Sequence, residues 1–271
     1  MSELVLLRRN NPHHMQTTAN KVLGIMGAMP EEIDGILAIM KVDQHQHLGG
    51  RTYHLGSING QSVVVVFSKW GKVAAAITAT TLIERFGVTA ILFTGVAGAI
   101  DPTLRIGDLV IGNRFYQHDL DARPIIRRFE IPLTGKIAID ADPQLVNPLH
   151  DAMQTIWANA RFQEQILKPL ALSFHNPHAR MIIGAIASGD QFFSTNETKN
   201  SLREALPDVL CVEMEGASVA QVCDEYHVPF WVIRTISDQA GDDSPVDFLS
   251  YTKRIASCYA KWTVQAVLDT F

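Results

Sequence analysis

The sequence has little of what marks exported, membrane-spanning or nucleic-acid-binding proteins. Its three cysteines, Cys211, Cys223 and Cys258, lie in apolar or helical segments and form no CxxC pair, which indicates structural thiols in a reducing compartment. No stretch approaches the roughly 18 uninterrupted apolar residues of a membrane span. The net charge of -5 comes without the concentrated basic face that nucleic-acid recognition requires. We therefore expect a cytoplasmic protein that binds neither membranes nor nucleic acids.

Length and composition favour one large domain. A chain of 271 residues with 47% apolar content can bury a sizeable core, and neither an internal repeat nor a linker divides it. We expect the fold to span residues 21–271 and residues 1–20 to be a polar, disordered extension. The apolar run of this extension, Leu4–Leu7, precedes its arginines, which is the reverse of the order in a secretory signal.

The stretch from residue 209 to residue 238 predicts a strand, a helix and a second strand. The strands are short apolar runs, and the helix carries small and apolar residues at helical spacing. The three elements are Val209–Val212, Gly216–Tyr226 and Val228–Ile236. Glu213 and Glu215 follow the first strand, and Ser237 and Asp238 follow the second. Because ligands of open α/β sheets bind beyond the carboxyl ends of the strands, we place the functional site here.

Each of these acids also has a simpler interpretation when it is taken alone. A carboxylate after a strand is often the N-cap of the next helix or a solvated loop residue. Arg234 and Asp238 fall on one face of the second strand, because strand side chains alternate, so they could face one ligand or form a plain ion pair. The coincidence of polar groups at both strand ends favours a site.

A second acidic segment lies near the start of the predicted fold. Lys21–Gly27 is a short apolar strand, and Pro30 suits the first turn of the helix that follows. Glu31 and Glu32 then lie in that turn, where the helix dipole alone favours negative charge. The same turn is at the ligand-binding edge of a doubly wound sheet, so these carboxylates are also candidates for the site.

The middle of the chain predicts a mixed sheet. Asn59-Gly60 is a favoured two-residue hairpin turn, and it joins strands at Arg51–Ile58 and Gln61–Phe67. Val88–Thr94 predicts a buried strand that runs into a loop, Gly95–Ala99, whose residues are small enough for the backbone to approach a ligand. The other predicted elements are a helix at Val73–Phe86, strands at Gly107–Phe115 and Arg180–Ser188, and helices at Thr195–Leu206 and Tyr251–Asp269.

Residues 124–180 are harder to assign, because six prolines interrupt them. The pattern predicts one helix from Pro143 to about Gln165. We expect the segment as a whole to form an excursion on the surface.

Two polar groups have competing interpretations. His118, Asp119 and Asp121 could bind a metal or form a hydrogen-bonded loop, and the loop is favoured because no further ligand type lies nearby. Lys72 could contact an anion, but the full GxxxxGK[ST] pattern is absent, which argues against binding of a nucleoside triphosphate.

Two aromatic residues, Phe192 and Phe193, follow the Arg180–Ser188 strand at the same edge of the predicted sheet. An aromatic ring at this edge could stack on a planar base. A role for one of the two rings in the core is about equally compatible with the pattern.

Six short motifs occur together in an order that resembles one known family. They are GIMGAMPEEI, SKWGKVAAA, TGVAGAI, SGDQFF, VEMEG and IRTISD. With these motifs the chain resembles the bacterial 5'-methylthioadenosine/S-adenosylhomocysteine nucleosidases of the purine nucleoside phosphorylase superfamily, from about Lys21 to the C-terminus. The resemblance implies a single three-layer α/β/α domain around a mixed, partly barrel-like central sheet. It also implies a homodimer and a reaction without metal or cofactor.

The resemblance further implies roles for individual residues. Glu32 would activate water, and Asp238, oriented by Ser237, would donate a proton to purine N7. Glu215 would hold the ribose hydroxyls, and Arg234 would help to hold Glu32 and the water. The implied substrate-binding residues are Met29, Trp70, Val96, Gly98, Phe192, Phe193, Glu213, Met214 and Phe248.

The implied binding residues divide by the part of the substrate that they would contact. Phe192 would stack on adenine, the backbone of Phe193 would read the edge of the base, and Met214 would pack against the sugar. The residues implied for the 5'-alkylthio pocket are Met29, Trp70 and Phe248. The family commonly has a serine where this chain has Val96, so the water would be held without that hydroxyl.

The chemistry of nucleoside cleavage explains these residue types. Breaking the bond between ribose C1' and purine N9 builds positive charge on the sugar and negative charge on the base. An acid must therefore neutralise the base, while a carboxylate on the opposite face takes a proton from water. We expect hydrolysis of methylthioadenosine and S-adenosylhomocysteine with release of adenine. The alternatives are hydrolysis of another 6-aminopurine nucleoside such as aminodeoxyfutalosine, phosphorolysis, and non-catalytic binding of a nucleoside.

Overall fold

One mixed sheet organises the protein in the computed structural model, which describes residues 21–242 and 244–271. The extension expected at residues 1–20 lies outside the described residues. The strands are mostly runs of buried aliphatic and β-branched side chains, as the pattern predicts. They are β1 (Val22–Gly27), β2 (Lys41–Leu48), β3 (Arg51–Ile58), β4 (Gln61–Phe67), β5 (Ala90–Ala99), β6 (Leu109–Gln117), β7 (Ile139–Asp140), β8 (Met181–Ser188), β9 (Val209–Glu213) and β10 (Phe230–Asp238).

Strand β5 is where the sheet closes on itself. It pairs in parallel with β1 and β10 and antiparallel with β9. Because β10 pairs with β6, β6 with β8 and β8 with β9, these strands and β5 form a closed ring. Strands β1, β4, β3 and β2 extend the sheet outward from β5. The predicted mixed, partly barrel-like sheet is confirmed.

Helices flank this sheet in two groups. The helices of the described residues are α1 (Pro30–Leu37), α2 (Lys72–Phe86), α3 (Pro143–Trp157), α4 (Ala160–Phe162), α5 (Lys168–Ser173), α6 (Asn196–Ala205), α7 (Gly216–Tyr226), α8 (Ser244–Tyr251) and α9 (Ser257–Thr270). Short π-helical segments, Gln163–Leu167 and Thr252–Ala256, join α4 to α5 and α8 to α9. Helix α2 packs against α7, whereas α1 and α3 pack against α9. Among the described helices, none combines the length and apolar character needed to cross a membrane.

We expected residues 124–180 to form an excursion on the surface, and this prediction is wrong for the second half of the segment. The predicted single helix ends at Trp157, and the side chain of Asn159 accepts a hydrogen bond from Arg161 N at 2.8 Å and starts the next helix. Pro143 lies at the start of α3, a position that suits proline, so it does not interrupt the helix. The segment contributes buried apolar side chains to the core, namely Leu149, Met153, Phe162, Ile166 and Leu170.

The loop predicted at Gly95–Ala99 is instead the second half of β5. Glycine is required at two positions of this segment because side chains from other elements approach the backbone closely there, and not because the chain turns. A Cβ on Gly95 would lie 2.9 Å from Glu32 Oε1, and a Cβ on Gly98 would lie 2.9 Å from Asp238 Oδ1. A real Cβ does not approach another atom this closely, so the strand admits the two carboxylates only because these positions have no side chain.

The remaining elements agree with the sequence pattern to different degrees. The hairpin with the Asn59-Gly60 turn and the helix at Gly216–Tyr226 have the predicted boundaries. The pattern does not predict β2, because each of its residues is exposed and it lacks the alternation of a half-buried strand. The C-terminal helical region begins at Ser244, ahead of the predicted Tyr251, and includes a π-helical turn.

Candidate active site

A cavity of about 380 Å³ lies beside the second half of β5 and the ends of β9 and β10. The described residues that line it are Ala28, Glu32, Trp70, Val96, Ala97, Gly98, Gln191, Phe192, Phe193, Val212, Glu213, Met214, Glu215, Ser237, Asp238, Ala240, Pro245, Phe248 and Leu249. The structure thus brings together Glu32, Glu215 and Asp238, which are separated by up to 206 positions in the chain, around one cavity.

Glu32 is held in the first turn of α1 by backbone amides from two directions. Its Oε2 accepts hydrogen bonds from Ala28 N at 2.6 Å and Met29 N at 2.9 Å, so it caps its own helix. Its Oε1 accepts from Val96 N on β5 at 3.2 Å. Burial raises the pKa of Glu32 to about 6, against the lowering effect of Arg234 and the three amides. The carboxylate is therefore fixed in place and mostly ionised at neutral pH.

Asp238 ends β10 where the pairing with β5 shifts register, which turns its side chain toward the cavity. The Ser237 hydroxyl donates to Asp238 Oδ2 at 2.8 Å, the contact that the predicted orienting role requires. The backbone of Ala240 donates to Oδ1 at 2.8 Å. Burial outweighs these donors and raises the pKa of Asp238, which favours the protonated carboxyl group.

Glu215 lies at the start of α7 and has 5% of its surface exposed. Its Oε1 accepts a hydrogen bond from Gly71 N at 2.8 Å. Burial, followed by repulsion from Glu213, raises the pKa of Glu215 to about 8. The cavity thus contains a third carboxyl group that holds its proton far more strongly than an exposed glutamate.

Glu213, which was predicted to bind substrate, lines the cavity and also braces the turn that precedes α7. Its carboxylate accepts from the Ser188 hydroxyl and from the backbone amides of Glu215 and Gly216. Arg234 Nη2 donates to Glu213 Oε2 at 2.7 Å, with both side chains almost completely buried. Because its oxygens are already satisfied, Glu213 shapes the turn that presents Glu215.

Arg234 was predicted to help to hold Glu32 and a water molecule, and its described hydrogen bonds go to other groups. Its remaining hydrogen bonds go to the carbonyl oxygens of Phe93 and Ile233, and its guanidinium lies 4.1 Å from the centre of the Phe93 ring. It acts on Glu32 through charge, by lowering the pKa of that carboxyl. Arg234 is therefore the counter-charge for a cluster of buried acids.

Aromatic and sulfur-containing side chains form another part of the wall. Phe192 is 44% exposed at the cavity, with the Phe248 ring 5.8 Å away in an edge-on arrangement. Phe193 is buried against His118, with 5.1 Å between the ring centres. Both rings line the cavity, but Phe192 is the exposed one, whereas Phe193 also packs into the core. Met214 also lines the cavity.

The pocket lining differs from the prediction in a few positions. Met29 was predicted to line the pocket but is not among its lining residues; its amide donates to Glu32 Oε2, and its carbonyl oxygen accepts from Glu32 N. The prediction missed lining residues on α8, Pro245 and Leu249. Their spacing of four residues, which places both on one face of a helix with Phe248 between them, is the signal that could have found them.

The polar loop with His118, Asp119 and Asp121 is hydrogen-bonded. Asp119 pairs with Lys72 and Asp121 pairs with Arg123, each at 2.5 Å. Within residues 21–242 and 244–271, no group of three His, Cys, Asp or Glu side chains converges on a position for a metal ion. Lys72 was considered for binding an anion, and its Nζ donates to the carboxylate of Asp119 and the amide oxygen of Gln117.

The chain is similar to known proteins over most of its length. The family model of the phosphorylase superfamily matches residues 22–267. The 5'-methylthioadenosine/S-adenosylhomocysteine nucleosidase of Shewanella denitrificans is 35% identical over 229 residues, which is 84% of this chain and 91% of that protein. An aminodeoxyfutalosine nucleosidase of Helicobacter pylori is 36% identical over 245 residues, or 89% of this chain and 95% of that protein.

Solved structures also show similarity to a nucleosidase of this kind. The chain superposes with a TM-score of 0.81 on the 5'-methylthioadenosine/S-adenosylhomocysteine nucleosidase of Neisseria meningitidis in complex with methylthio-immucillin-A. The two chains are 26% identical, and the match covers 93% of this chain and 100% of the other. The similarity therefore extends over nearly the whole chain.

Proposed function

We propose, from the premise that the chain belongs to the 5'-methylthioadenosine/S-adenosylhomocysteine nucleosidases of the phosphorylase superfamily, how its residues perform the reaction. The protein is an N-glycosidic hydrolase that releases adenine from 5'-methylthioadenosine and S-adenosylhomocysteine. One observation supports the assignment of roles above all others. Three buried carboxyl groups, Glu32, Glu215 and Asp238, surround one cavity with their pKa values raised by burial.

Asp238 is the general acid. Loss of the bond between ribose C1' and purine N9 leaves negative charge on the base, which protonation at N7 neutralises. Burial raises the pKa of Asp238, which favours the protonated form that an acid needs, and the contacts from Ser237 and Ala240 fix the direction of its carboxyl group. Ser237 is a positioning residue that acts through Asp238.

Glu32 is the base that takes a proton from the attacking water. Its pKa of about 6 leaves it ionised at neutral pH yet basic enough to accept a proton. The amides of Ala28, Met29 and Val96 hold it without blocking access from the cavity, which Glu32 itself lines. Position 96 contributes its backbone to the base, since its valine side chain has no hydroxyl to offer the water.

Glu215 binds the ribose hydroxyls. Gly71 N occupies one lone pair of its carboxylate, and the carboxylate has further acceptor capacity for two hydroxyl donors. Hydrogen bonds from these hydroxyls favour the ionised form and lower its pKa. The negative charge then lies beside the sugar, where the transition state develops positive charge.

The wall of the cavity fits an adenine base and an apolar 5' group. Phe192 presents its ring for stacking on the base. Met214, Trp70, Phe248 and Leu249 give the remaining wall an apolar character that suits a 5'-alkylthio substituent.

A water nucleophile fits the cavity better than phosphate does. None of the described residues that line it carries a positive charge, and Arg234 is committed to Glu213. A phosphate dianion among three buried carboxyl groups would meet repulsion with no compensating cation. The absence of such a cation from the described lining supports hydrolysis over phosphorolysis.

A second substrate has specific support. The Helicobacter pylori relative named as an aminodeoxyfutalosine nucleosidase is as similar to this chain as the Shewanella enzyme is. Trp70, at the 5' side of the cavity, is 60% exposed, so this side is open enough to admit a larger 5' group. We therefore include aminodeoxyfutalosine as an alternative substrate of the same hydrolysis.

Release of adenine from four nucleosides tests this function. Methylthioadenosine, S-adenosylhomocysteine, adenosine and aminodeoxyfutalosine are each incubated with the protein in buffers with and without phosphate. We expect adenine from the two thio-nucleosides at equal rates in both buffers. Activity that requires phosphate would refute hydrolysis, and faster release from aminodeoxyfutalosine would make the second substrate the principal one.

We propose in addition that the protein is a cytoplasmic homodimer that acts in methionine salvage. The outer face of α2 supports the dimer, because Val73 and Ile77 are 70% and 50% exposed on a helix that otherwise packs its apolar residues. Light scattering after size-exclusion chromatography measures the mass directly. A mass near 30.0 kDa would identify a monomer and reject the dimer.

A further inference from the structure

The first turn of α2 lacks a capping side chain of its own, because its N-cap residue is Gly71. Two acidic residues from distant parts of the chain satisfy its free amides instead. Gly71 N donates to Glu215 Oε1 at 2.8 Å, and Lys72 N donates to Asp190 Oδ1 at 2.8 Å. The start of α2 is therefore held between the carboxylate that binds ribose and a carboxylate that does not line the cavity.

The side chain of Lys72 closes this arrangement into a ring. Its Nζ donates to Asp119 Oδ1 at 2.5 Å and to Gln117 Oε1 at 3.2 Å. The other oxygen of Asp119 accepts from Asp190 N at 2.9 Å. Lys72, Asp119 and Asp190, which we call the Lys72 clamp, thus connect three loops that are far apart in the sequence.

The backbone of Gly71 packs closely against the side chain of Asp190. This residue has φ of 90°, a conformation that favours glycine, and a Cβ there would lie 2.9 Å from Asp190 Oδ1. The segment from Trp70 to Lys72 therefore has little freedom to move relative to Asp190. The direction of the Gly71 amide toward Glu215 follows from this constraint.

We propose that the Lys72 clamp is a positioning device for the hydrolysis, because it holds the Gly71 N–H on Glu215 and so fixes the carboxylate that binds the ribose hydroxyls. The inference rests on the proposed function, since it assigns a purpose to the geometry of Glu215. Lys72, Asp119 and Asp190 are absent from the cavity lining. They act on the substrate through Gly71 and Glu215.

The charges around the clamp make this role measurable. The Lys72 and Asp119 side chains are 16% and 31% exposed, so solvent screens their pairing only in part. The Gly71 amide lowers the pKa of Glu215, and its displacement would raise that pKa further. The other charged groups near Glu215 are Glu213 on β9, Arg234 on β10 and Glu32 on α1, and changes in the clamp leave these in place.

Lys72→Met and Asp119→Asn, alone and combined, test the proposal. Each single variant should lower kcat/KM for methylthioadenosine by about 10- to 100-fold, because a small misplacement of a substrate-binding group has an effect of this size. The acid side of the pH profile should move to higher pH. The double variant should lose no more than the worse single variant, since either change opens the same ring.

A matched control lies in the same loop. Asp121 is a carboxylate two residues from Asp119 and pairs with Arg123 on the surface. Asp121→Asn should keep kcat/KM within about twofold of wild type, since exposed pairs contribute little. Lys72→Arg, which retains a charged donor, should recover part of the activity lost in Lys72→Met.

The possible results distinguish a failure of the positioning role from a failure of the proposed hydrolysis. A uniform loss at every pH, or losses that multiply in the double variant, would overturn the positioning role. Wild-type kinetics in Asp119→Asn would overturn it as well, and this isosteric change still decides the matter should Lys72→Met fail to fold. Absence of adenine release from the wild-type protein in the same assay would instead reject the proposed function.

Discussion

Glu215→Gln should stabilise the protein against unfolding and at the same time remove most of its activity. Burial and the neighbouring Glu213 raise the pKa of Glu215 from 4.5 to about 8. The folded protein therefore keeps a proton on this carboxyl group over a pH range in which the unfolded chain has lost it. Glutamine has the same shape, retains an oxygen that accepts from Gly71 N and carries no charge to bury.

The sign of the pH effect follows from proton binding. Between pH 4.5 and about 8 the folded state holds more protons at Glu215 than the unfolded state, so the free energy of unfolding falls as the pH rises. At about 1.4 kcal/mol for each pH unit, the separation between 4.5 and about 8 corresponds to roughly 5 kcal/mol. Because Glu213 and Glu215 interact, we expect about 2 to 5 kcal/mol of extra stability in the variant at pH 8.

Urea unfolding followed by circular dichroism at pH 5, 6.5 and 8 measures this difference. Wild type and variant should be similar at pH 5 and diverge as the pH rises. The variant should keep a shallow decline between about pH 4.5 and 6, because the raised pKa of Glu32 contributes about 2 kcal/mol of the same sign. Glu225→Gln, on the exposed face of the same helix, is the control and should change little. Parallel curves for Glu215→Gln and wild type, or a less stable variant at pH 8, would refute the reasoning.

Three further predictions concern other parts of the site. Asp238→Asn and Glu32→Gln should each lower kcat by roughly 100- to 10,000-fold while a nucleoside still binds, because the amides can neither protonate N7 nor accept a proton from water. Adenine release and calorimetric titration check this, and unchanged turnover in either variant would remove the role of that residue. Gly95→Ala should lower kcat/KM by about tenfold or more in a folded protein, because its Cβ would lie 2.9 Å from Glu32 Oε1, and wild-type steady-state kinetics would contradict this. Arg234→Met should lower the free energy of unfolding by about 3 to 5 kcal/mol, because it leaves the Glu213 carboxylate buried without its partner. An unchanged midpoint of urea unfolding would contradict a stabilising role for the pair of Arg234 and Glu213.

The sequence predicts the site well where polar residues interrupt a strong apolar pattern. Glu215 and Asp238 follow short apolar strands, and the turn with Glu32 follows another, so a general rule for ligands at strand ends is enough to bring the three together. The hairpin at Asn59-Gly60 is predicted for a similar reason, because two residues dictate the turn and the alternation of their neighbours dictates the strands.

The sequence fails where a residue's role depends on a partner from a distant element. Glu213 and Arg234 have the residue types of substrate ligands, and only the fold reveals that their side chains pair with each other. The second half of β5 has the composition of a loop, because its glycines make room for carboxylates that other elements supply. Local pattern carries no information about either neighbour.

Strand β5 relates the general base to the general acid. A Cβ at Gly95 would lie 2.9 Å from Glu32 Oε1, and a Cβ at Gly98 would lie 2.9 Å from Asp238 Oδ1. The two carboxyl groups therefore approach the same strand at two different positions. Because cleavage needs one group to take a proton from water and another to protonate the departing base, separate positions for Glu32 and Asp238 agree with separate roles. Direct attack by water at C1' requires this division, since a single carboxyl group cannot act on both faces of the sugar.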